Sequence, residues 1–266
     1  MTSALPVRLS GRDPRTRMRV LLAPVVLGVL VLGLWQLAVE SFEIDPFVIP
    51  SPQAIFDRFI TNISSIVDGV TVTGRNALMG LVIGAVIGIV GALLASATWI
   101  FDEMTAPLVA ALSVIPIVAL APVLYTLYGA AAETARIIVA ALSVIVPVYL
   151  NTLRGLRQVR PVHRDLMRSH AASAPQVART VTLPTATPYV FTGLRIASSL
   201  AVISALIAEY FGGPVGGLGK SITSAAASSN YPLAWAYVLG AILLGLAFYV
   251  VTLLVERFFT RHTGSD

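Results

Sequence analysis

Long apolar segments separated by short polar stretches dominate the pattern of hydrophobic and polar positions along the chain. A helix needs about twenty mostly apolar residues to cross a bilayer. About six segments meet this requirement: residues 20–39, 76–97, 106–128, 135–153, 189–211 and 233–255. The pattern therefore predicts an all-α, polytopic membrane protein with about six transmembrane helices.

The stretch between the first two spans predicts a separate amphipathic helix. Ser51 followed by Pro52 is typical of a helix start, because Ser caps the first turn and Pro suits the first helical position. Apolar residues then recur at helical spacing: Ile55, Phe56, Phe59, Ile60, Ile63, Ile66 and Val67. We expect this helix to lie along the outer membrane surface.

The second span carries a stripe of small residues. Gly80, Gly84 and Gly88 repeat every fourth residue and leave a flat face on the helix. Such a face lets another helix backbone approach closely. The approaching helix either belongs to this chain or comes from a partner, and the sequence leaves both open.

The third span is rich in proline, with Pro107, Pro116 and Pro122. Proline removes a helix hydrogen bond, so this segment is predicted to be kinked or interrupted. Interrupted helices at membrane depth either pack inside protein or line a cavity.

Composition supports the membrane assignment. Hydrophobic residues make up 56% of the chain and charged residues 12%, against about 25% charged in soluble proteins. The mean hydropathy is +0.85. The absence of cysteine excludes disulfides and thiolate metal sites. The net charge of +5 does not indicate nucleic-acid binding, because cytoplasmic loops of membrane proteins carry excess Lys and Arg.

The distribution of basic residues predicts the orientation. One side carries Arg8, Arg12, Arg15, Arg17, Arg19, Arg154, Arg157, Arg160, Arg164, Arg168, Arg179, Arg257 and Arg261, whereas the other carries Arg58, Arg75, Arg136 and Lys220. The positive-inside rule then places both termini in the cytoplasm. The first span is too long for a signal peptide and no cleavage site follows it, so we expect it to remain uncleaved.

The polar, arginine-rich insertion at residues 165–184 cannot lie in hydrocarbon, because unsatisfied polar groups there cost several kcal/mol each. Pro161 can open a short helix before a turn at residues 171–173, and Pro175 suits the first turn of a second helix ending near Leu183 and Pro184. The insertion is therefore predicted to form a cytoplasmic platform that docks another protein.

The spacing within this insertion resembles the EAA motif of ABC-importer permeases. That motif has an acidic residue, Gly-Ala-Ser six residues later, and then an aliphatic residue, a spacer and Leu-Pro. The matching residues here are Asp165, Ala171, Ala172, Ser173, Val181, Thr182, Leu183 and Pro184. Three departures stand out: Asp165 replaces Glu, Leu166 and Met167 replace alanines, and Ala171 replaces glycine. Ala resists a positive φ, so the turn must form differently or at a higher cost.

The resemblance is greatest to the nitrate/sulfonate/taurine branch, which includes permeases for thiamine-pyrimidine precursors. It runs from about Trp35 to Lys220. Further matches are Trp35-Gln36, Ile49-Pro50-Ser51-Pro52, Ile115-Pro116, Ala121-Pro122, Pro147, Asn151-Thr152, Gly155-Leu156-Arg157, Pro188-Tyr189, Gly193-Leu194-Arg195, Glu209 and Gly217-Leu218-Gly219.

The resemblance implies a type I ABC-importer permease fold with cytoplasmic coupling helices. It implies four parts: a basic cytoplasmic tail (1–19), the first span with the outer amphipathic helix (20–72), a permease core (73–256) containing a coupling loop (154–188), and a cytoplasmic tail (257–266). The implied docking residues for the ATPase are Asp165, Leu166, Arg168, Ser169, Ala171, Ala172, Ser173, Leu183 and Pro184.

The resemblance also implies the partners: a separate ATPase subunit on the cytoplasmic side, an external solute-binding protein and a second permease copy in a homodimer. No cofactor is expected on this chain, because ATP and magnesium are held by the ATPase. The implied solute is small and polar, of the sulfonate, taurine, nitrate or pyrimidine-precursor class. The implied location is the bacterial cytoplasmic membrane.

Charged and proline residues within the spans are candidates for the transport path or its gate: Pro116, Pro122, Arg195 and Glu209. A charge inside a membrane is costly unless it is paired, reaches the interface or faces water. Arg195 and Glu209 therefore either form structural contacts or line the path.

No pattern predicts catalysis or a metal site. The segment Gly213–Ser221 lacks the first glycine of a phosphate-binding loop, because Pro214 stands there. His163 and His170 have no third ligand beside them. We therefore expect a non-catalytic transport subunit. The alternatives are a stand-alone polytopic channel or enzyme, or an exporter permease.

Overall fold

The computed structural model describes residues 14–129, 131–212 and 216–260. Eleven α-helices lie in these ranges: α1 Pro14–Ser41, α2 Pro52–Thr61, α3 Ile63–Ala97, α4 Trp99–Val114, α5 Ala121–Tyr128, α6 Thr134–Leu156, α7 Pro161–Ser169, α8 Ala174–Val177, α9 Leu183–Phe211, α10 Leu218–Ala227 and α11 Tyr231–Thr260. A 3₁₀ turn covers Ile117–Leu120 and a π-helical turn covers Ala178–Thr182. The predicted all-α fold is confirmed.

Five of these helical segments are long and apolar enough to cross a membrane. They are Leu22–Ser41 in α1, Ile63–Ala97 (α3), Thr134–Leu156 (α6), Ala174–Phe211 through α8 and α9, and Tyr231–Phe259 in α11. Five of the six predicted spans therefore correspond to one long helix each. Arg8, Arg12 and Arg261 of the predicted basic tails lie outside the described residues.

The segment predicted as the third span is interrupted, as its prolines indicated. Helix α4 ends at Val114, the 3₁₀ turn follows, and α5 starts with Pro122 in its first turn. Ile115 has extended backbone angles, φ −66° and ψ 126°. The ring of Pro116 disfavours helical angles at the preceding residue, which explains the break at this point.

The amphipathic helix after the first span is shorter than predicted. Its start is as expected, because the Ser51 hydroxyl accepts the N–H of Ala54 at 3.2 Å. It ends at Thr61, however, and α3 begins at Ile63 rather than at residue 76. The apolar residues from Ile63 onward therefore belong to a 35-residue spanning helix. The helical periodicity was correct, but periodicity alone does not show where one helix ends and the next begins.

Helices α3, α6 and α9 form the centre of the bundle. A Cβ at Gly80 would lie 2.4 Å from the Cβ of Ala140, and a Cβ at Gly84 would lie 2.5 Å from the carbonyl oxygen of Ala141. On the other side of α6, Gly193 of α9 approaches the carbonyl of Pro147 in the same way. The glycine stripe of α3 thus packs against α6 within this chain.

Helix α1 lies at the edge of the bundle, and most of its apolar side chains are exposed. Aromatic pairs hold its end and the following loop against α11. Trp35 contacts Trp235 with ring centroids 5.9 Å apart, and Phe47 contacts Tyr231 at 5.1 Å. Lipid or a partner subunit must cover the remaining apolar surface of α1.

Candidate coupling loop and buried polar sites

The first loop helix, α7, begins at Pro161 as the sequence predicted, and it ends in a Schellman motif. The N–H of Ala172 donates to the carbonyl of Met167 at 3.0 Å, and the N–H of Ala171 donates to the carbonyl of Arg168 at 2.9 Å. This pair of bonds satisfies two carbonyls at the helix end and turns the chain sharply.

Ala171 occupies the left-handed position of this motif, with φ 49°. Glycine is the usual residue there, because a Cβ clashes with the backbone in left-handed conformations at a cost of about 1–2 kcal/mol. The glycine-to-alanine departure therefore does not change the form of the turn. It leaves local strain beside the proposed docking surface.

The second loop helix does not end near Leu183 and Pro184, which corrects the prediction. Ser173 and Gln176 form a capping box at the start of α8, with the Ser173 N–H 2.7 Å from the Gln176 side-chain oxygen. The chain then continues through the π turn directly into α9 as one 38-residue helical segment, Ala174–Phe211.

The π turn explains how the helix tolerates Pro184. The N–H of Leu183 donates to the carbonyl of Ala178, five residues earlier. A proline inside an α-helix lacks one N–H and its ring clashes with the carbonyl four residues before it. The wider π turn immediately before Pro184 relaxes this geometry, so the proline does not break the helix.

The predicted docking residues fall into two groups. Asp165, Leu166, Arg168 and Ser169 lie on α7, Ala171 and Ala172 form the turn, and Ser173 caps α8. Leu183 and Pro184 lie at the start of α9, about ten residues further along the helical segment, or about 15 Å. The first group forms one continuous surface, and the last two residues stand apart from it.

The exposed face of α7 is partly apolar. Val162 and Leu166 lie one helical turn apart on the same face, with 64% and 55% of their surfaces exposed. Arg168 and Asp165 form an exposed ion pair at 3.5 Å. Large apolar side chains together on a helix that is predicted to face water are typical of a contact surface for another protein.

An ion pair that the sequence analysis missed fixes the loop to the bundle. Arg157, directly after α6, lies 2.6 Å from Asp102 in the first turn of α4. The sequence did offer a signal for this contact, because Arg157 and Asp102 carry opposite charges in two segments predicted to lie on the same side of the membrane. Their contact places both loops at the same end of the bundle.

Arg195 is held in a structural contact. Its guanidinium donates to the carboxylate of Glu256 on α11 at 3.2 Å, and both side chains are largely buried. Arg195 and Glu209 are fourteen residues apart on α9, about 21 Å along the helix. Pro116 and Pro122 are exposed at the break between α4 and α5. The four candidate path residues therefore do not converge on one site.

Glu209 lies fully buried at the end of α9 that is remote from the coupling loop. Its carboxylate accepts the Thr73 hydroxyl at 2.9 Å and the N–H of Gly219 at 2.8 Å. The Thr73 hydroxyl in turn accepts the N–H of Leu218 at 2.9 Å. Two residues from other helices thus cap the N-terminus of α10, where a carboxylate is also favoured by the helix dipole.

The loop before α10 passes directly over this carboxylate. Gly217 has φ +144°, and a Cβ there would lie 2.5 Å from the carboxylate atoms of Glu209. Only glycine fits this position, on both counts. At Gly217, the backbone of the glycine-rich segment therefore passes in close contact with a buried carboxylate. Residues 213–215 of this segment lie outside the described residues.

Arg136 is the main functional candidate that the sequence analysis missed, because it was considered only as one of the few basic residues on the less basic side of the protein. It is fully buried in the first turn of α6. Its Nε donates to the Tyr125 hydroxyl at 3.2 Å and one of its terminal nitrogens donates to the carbonyl of Gly216 at 3.0 Å. Tyr125 donates to the carbonyl of Ala208 at 3.1 Å. These bonds tie α5, α6, α9 and the loop before α10 together.

Comparison with known proteins agrees with this architecture. Residues 80–264 match the family described as binding-protein-dependent transport system inner membrane component. The chain is 29% identical over 239 residues to a probable ABC transporter permease protein of Haemophilus influenzae, covering 90% of this chain and 97% of that one. It is 31% identical over 248 residues to the riboflavin transport system permease protein RibX of Chloroflexus aurantiacus, covering 91% and 90%.

A solved structure of an amino acid ABC transporter with histidines shares the fold. Its TM-score is 0.62 at 16% identity, covering 74% of this chain and 95% of that one. The matched family region contains α6, the coupling loop and α9, which also form the centre of the fold. The chain belongs to the family of inner-membrane components of binding-protein-dependent transport systems, which are the non-catalytic permease subunits of ABC importers.

Proposed function

We propose that the chain works as a homodimer in the bacterial cytoplasmic membrane, with both termini in the cytoplasm. It docks a separate ATPase through α7 and the following turn, and it receives its solute from an external binding protein at the opposite end. ATP and magnesium are held by the ATPase, and this chain holds no cofactor. The excess of Arg around the coupling loop supports this orientation.

The observation that carries the docking proposal is the apolar face of α7. Val162 and Leu166 are exposed at the end of the bundle where Arg157 and Asp102 fix the loop in place. A partner that covers such a side chain gains about 1.5–3 kcal/mol for each fully buried Leu or Val. The loop therefore offers a fixed apolar surface, and burial of this surface by another protein stabilises the complex.

The proposed solute is small and polar, of the sulfonate, taurine, nitrate or pyrimidine-precursor class. Relatives that match most of this chain are named as permeases for riboflavin, formylaminopyrimidine, aliphatic sulfonates and nitrate. Such varied solutes among similar chains support a path that accepts several small molecules. Selectivity then rests mainly with the binding protein.

Docking is tested by co-purification with the ATPase subunit expressed beside this chain. Leu166→Ser removes an apolar contact and is expected to lower the amount of retained ATPase at least tenfold, which corresponds to about 1.4 kcal/mol. Arg164→Ser is the matched control, because Arg164 is also exposed but lies on the opposite side of α7. Undiminished ATPase with Leu166→Ser would reject α7 as the docking site.

A further inference from the structure

One buried polar side chain without a hydrogen bond lies on α3, three residues after Thr73. Asn76 of α3 is fully buried, and neither its side-chain oxygen nor its nitrogen has a partner. A buried amide without partners is costly in an apolar interior. Buried polar groups in proteins almost always have a hydrogen-bond partner, so an amide without one calls for a specific explanation.

Asn76 and Thr73 lie on the same face of α3, because residues three apart on a helix are neighbours. Helices α3 and α9 run antiparallel: Thr73 meets Glu209 near one end, and Ile89 and Thr187 line one cavity near the other. Side chains lean toward the N-terminus of their own helix. The Asn76 side chain therefore points along α3 toward Thr73, and the Glu209 side chain points along α9 toward Asn76. The two side chains thus lean toward each other along the helix axes.

The helix that carries Glu209 also reaches the coupling loop. The segment Ala174–Phe211 is continuous from the end of the α7 turn to the buried carboxylate. From residue 174 to residue 209 it is about 50 Å long. A displacement of this segment along its axis by three residues, about 4.5 Å, would carry Glu209 from the level of Thr73 to that of Asn76.

We propose that Glu209 is a two-position clasp, which hydrogen-bonds to Thr73 in the conformation described here and to Asn76 in the alternate access state of the transporter. In the first position Thr73 and Glu209 also hold the N-terminus of α10. Two discrete hydrogen-bonding positions favour two discrete conformations rather than a continuous range. The clasp rests on the proposed function, because the ATPase at the coupling loop supplies the displacement.

An isosteric pair of substitutions tests the second position. Asn76→Val and Asn76→Thr have the same shape, but only Thr keeps a hydrogen-bonding group. The assay is Mg-ATP turnover by the complete permease–ATPase complex in lipid nanodiscs. We expect turnover with Val to fall at least fivefold below that with Thr, while both variants retain the ATPase. Equal turnover with Val and Thr would overturn the clasp.

Thr152→Val is the matched control for removing a buried polar group. The Thr152 hydroxyl is also buried and without a partner, but it lies on α6 near the coupling-loop end. We expect turnover to stay within twofold of the unmodified complex. A loss as large as that with Asn76→Val would show a general effect of such substitutions and overturn the specific role of Asn76.

A distance measurement tests the movement directly and remains informative if the Asn76 variants fail to fold. The chain contains no cysteine, so nitroxide labels can be placed through Leu94→Cys near the coupling-loop end of α3 and Phe211→Cys at the opposite end, on α9, since both side chains are exposed. With ATP and vanadate we expect a second distance that differs by about 4–5 Å. A distance that does not change while the ATPase stays bound refutes the clasp alone. If the ATPase does not stay bound to the unmodified chain, the docking proposal is refuted. The clasp then also lacks the partner that displaces Glu209.

Discussion

Replacing Ala171 by glycine is expected to stabilise the turn after α7. Ala171 has φ 49°, which costs a non-glycine residue about 1–2 kcal/mol. Glycine removes this strain but adds about 0.4–1 kcal/mol of unfolded-state entropy. With the middle of each range, the balance favours Ala171→Gly by about 0.8 kcal/mol, or about a fourfold lower population of the locally open turn.

Hydrogen exchange at the amides of Ala171 and Ala172 measures this local opening, because both amides are bonded only while the motif is formed. We expect their exchange to slow about fourfold in Ala171→Gly. Ala172→Gly is the matched control: residue 172 does not have a positive φ, so glycine there brings only the entropic cost and faster exchange. Equal or faster exchange in Ala171→Gly would show that the positive φ of Ala171 does not strain the turn.

Two further predictions concern the bundle. Gly84→Ala should lower the free energy of unfolding in detergent by about 1–3 kcal/mol, because the new Cβ would clash with the Ala141 carbonyl. Gly28→Ala is the control and should not lower it, because Gly28 has open space around it. Equal effects of the two substitutions would contradict the packing of α3 against α6. A double-mutant cycle on Arg157→Gln and Asp102→Asn should give a coupling energy of about 0.2–1 kcal/mol, because both side chains are partly exposed. Each single variant should also speed proteolysis of the coupling loop. A coupling energy of zero would show that this ion pair does not hold the loop.

Features set by local chemistry were predictable from the sequence. Ser51 with Pro52 marked a helix start, Pro116 marked a helix break, and Pro161 marked the start of α7. Each depends on the residue itself and its immediate neighbours. The same holds for Ala171, where the predicted cost of replacing glycine appears as a positive φ.

Features set by contacts between distant residues were not predictable. Nothing near Arg136 indicated that it is buried against Tyr125 and Gly216, because those partners come from other parts of the chain. The sequence did not show that α8 continues into α9, because a proline such as Pro184 is typical of a helix end unless a π turn precedes it. The roles of the coupling-loop residues stay predictions, since they depend on a partner.

Docking of the ATPase on the coupling loop is tested most directly by site-directed cross-linking of the two. Because the chain has no cysteine, Leu166→Cys gives a single reactive thiol on the exposed face of α7, and Ser228→Cys gives one at the opposite end. With a thiol–amine cross-linker, we predict that Leu166→Cys joins the co-expressed ATPase subunit and that Ser228→Cys does not. A cross-link from Ser228→Cys with none from Leu166→Cys would contradict the assignment of the coupling loop.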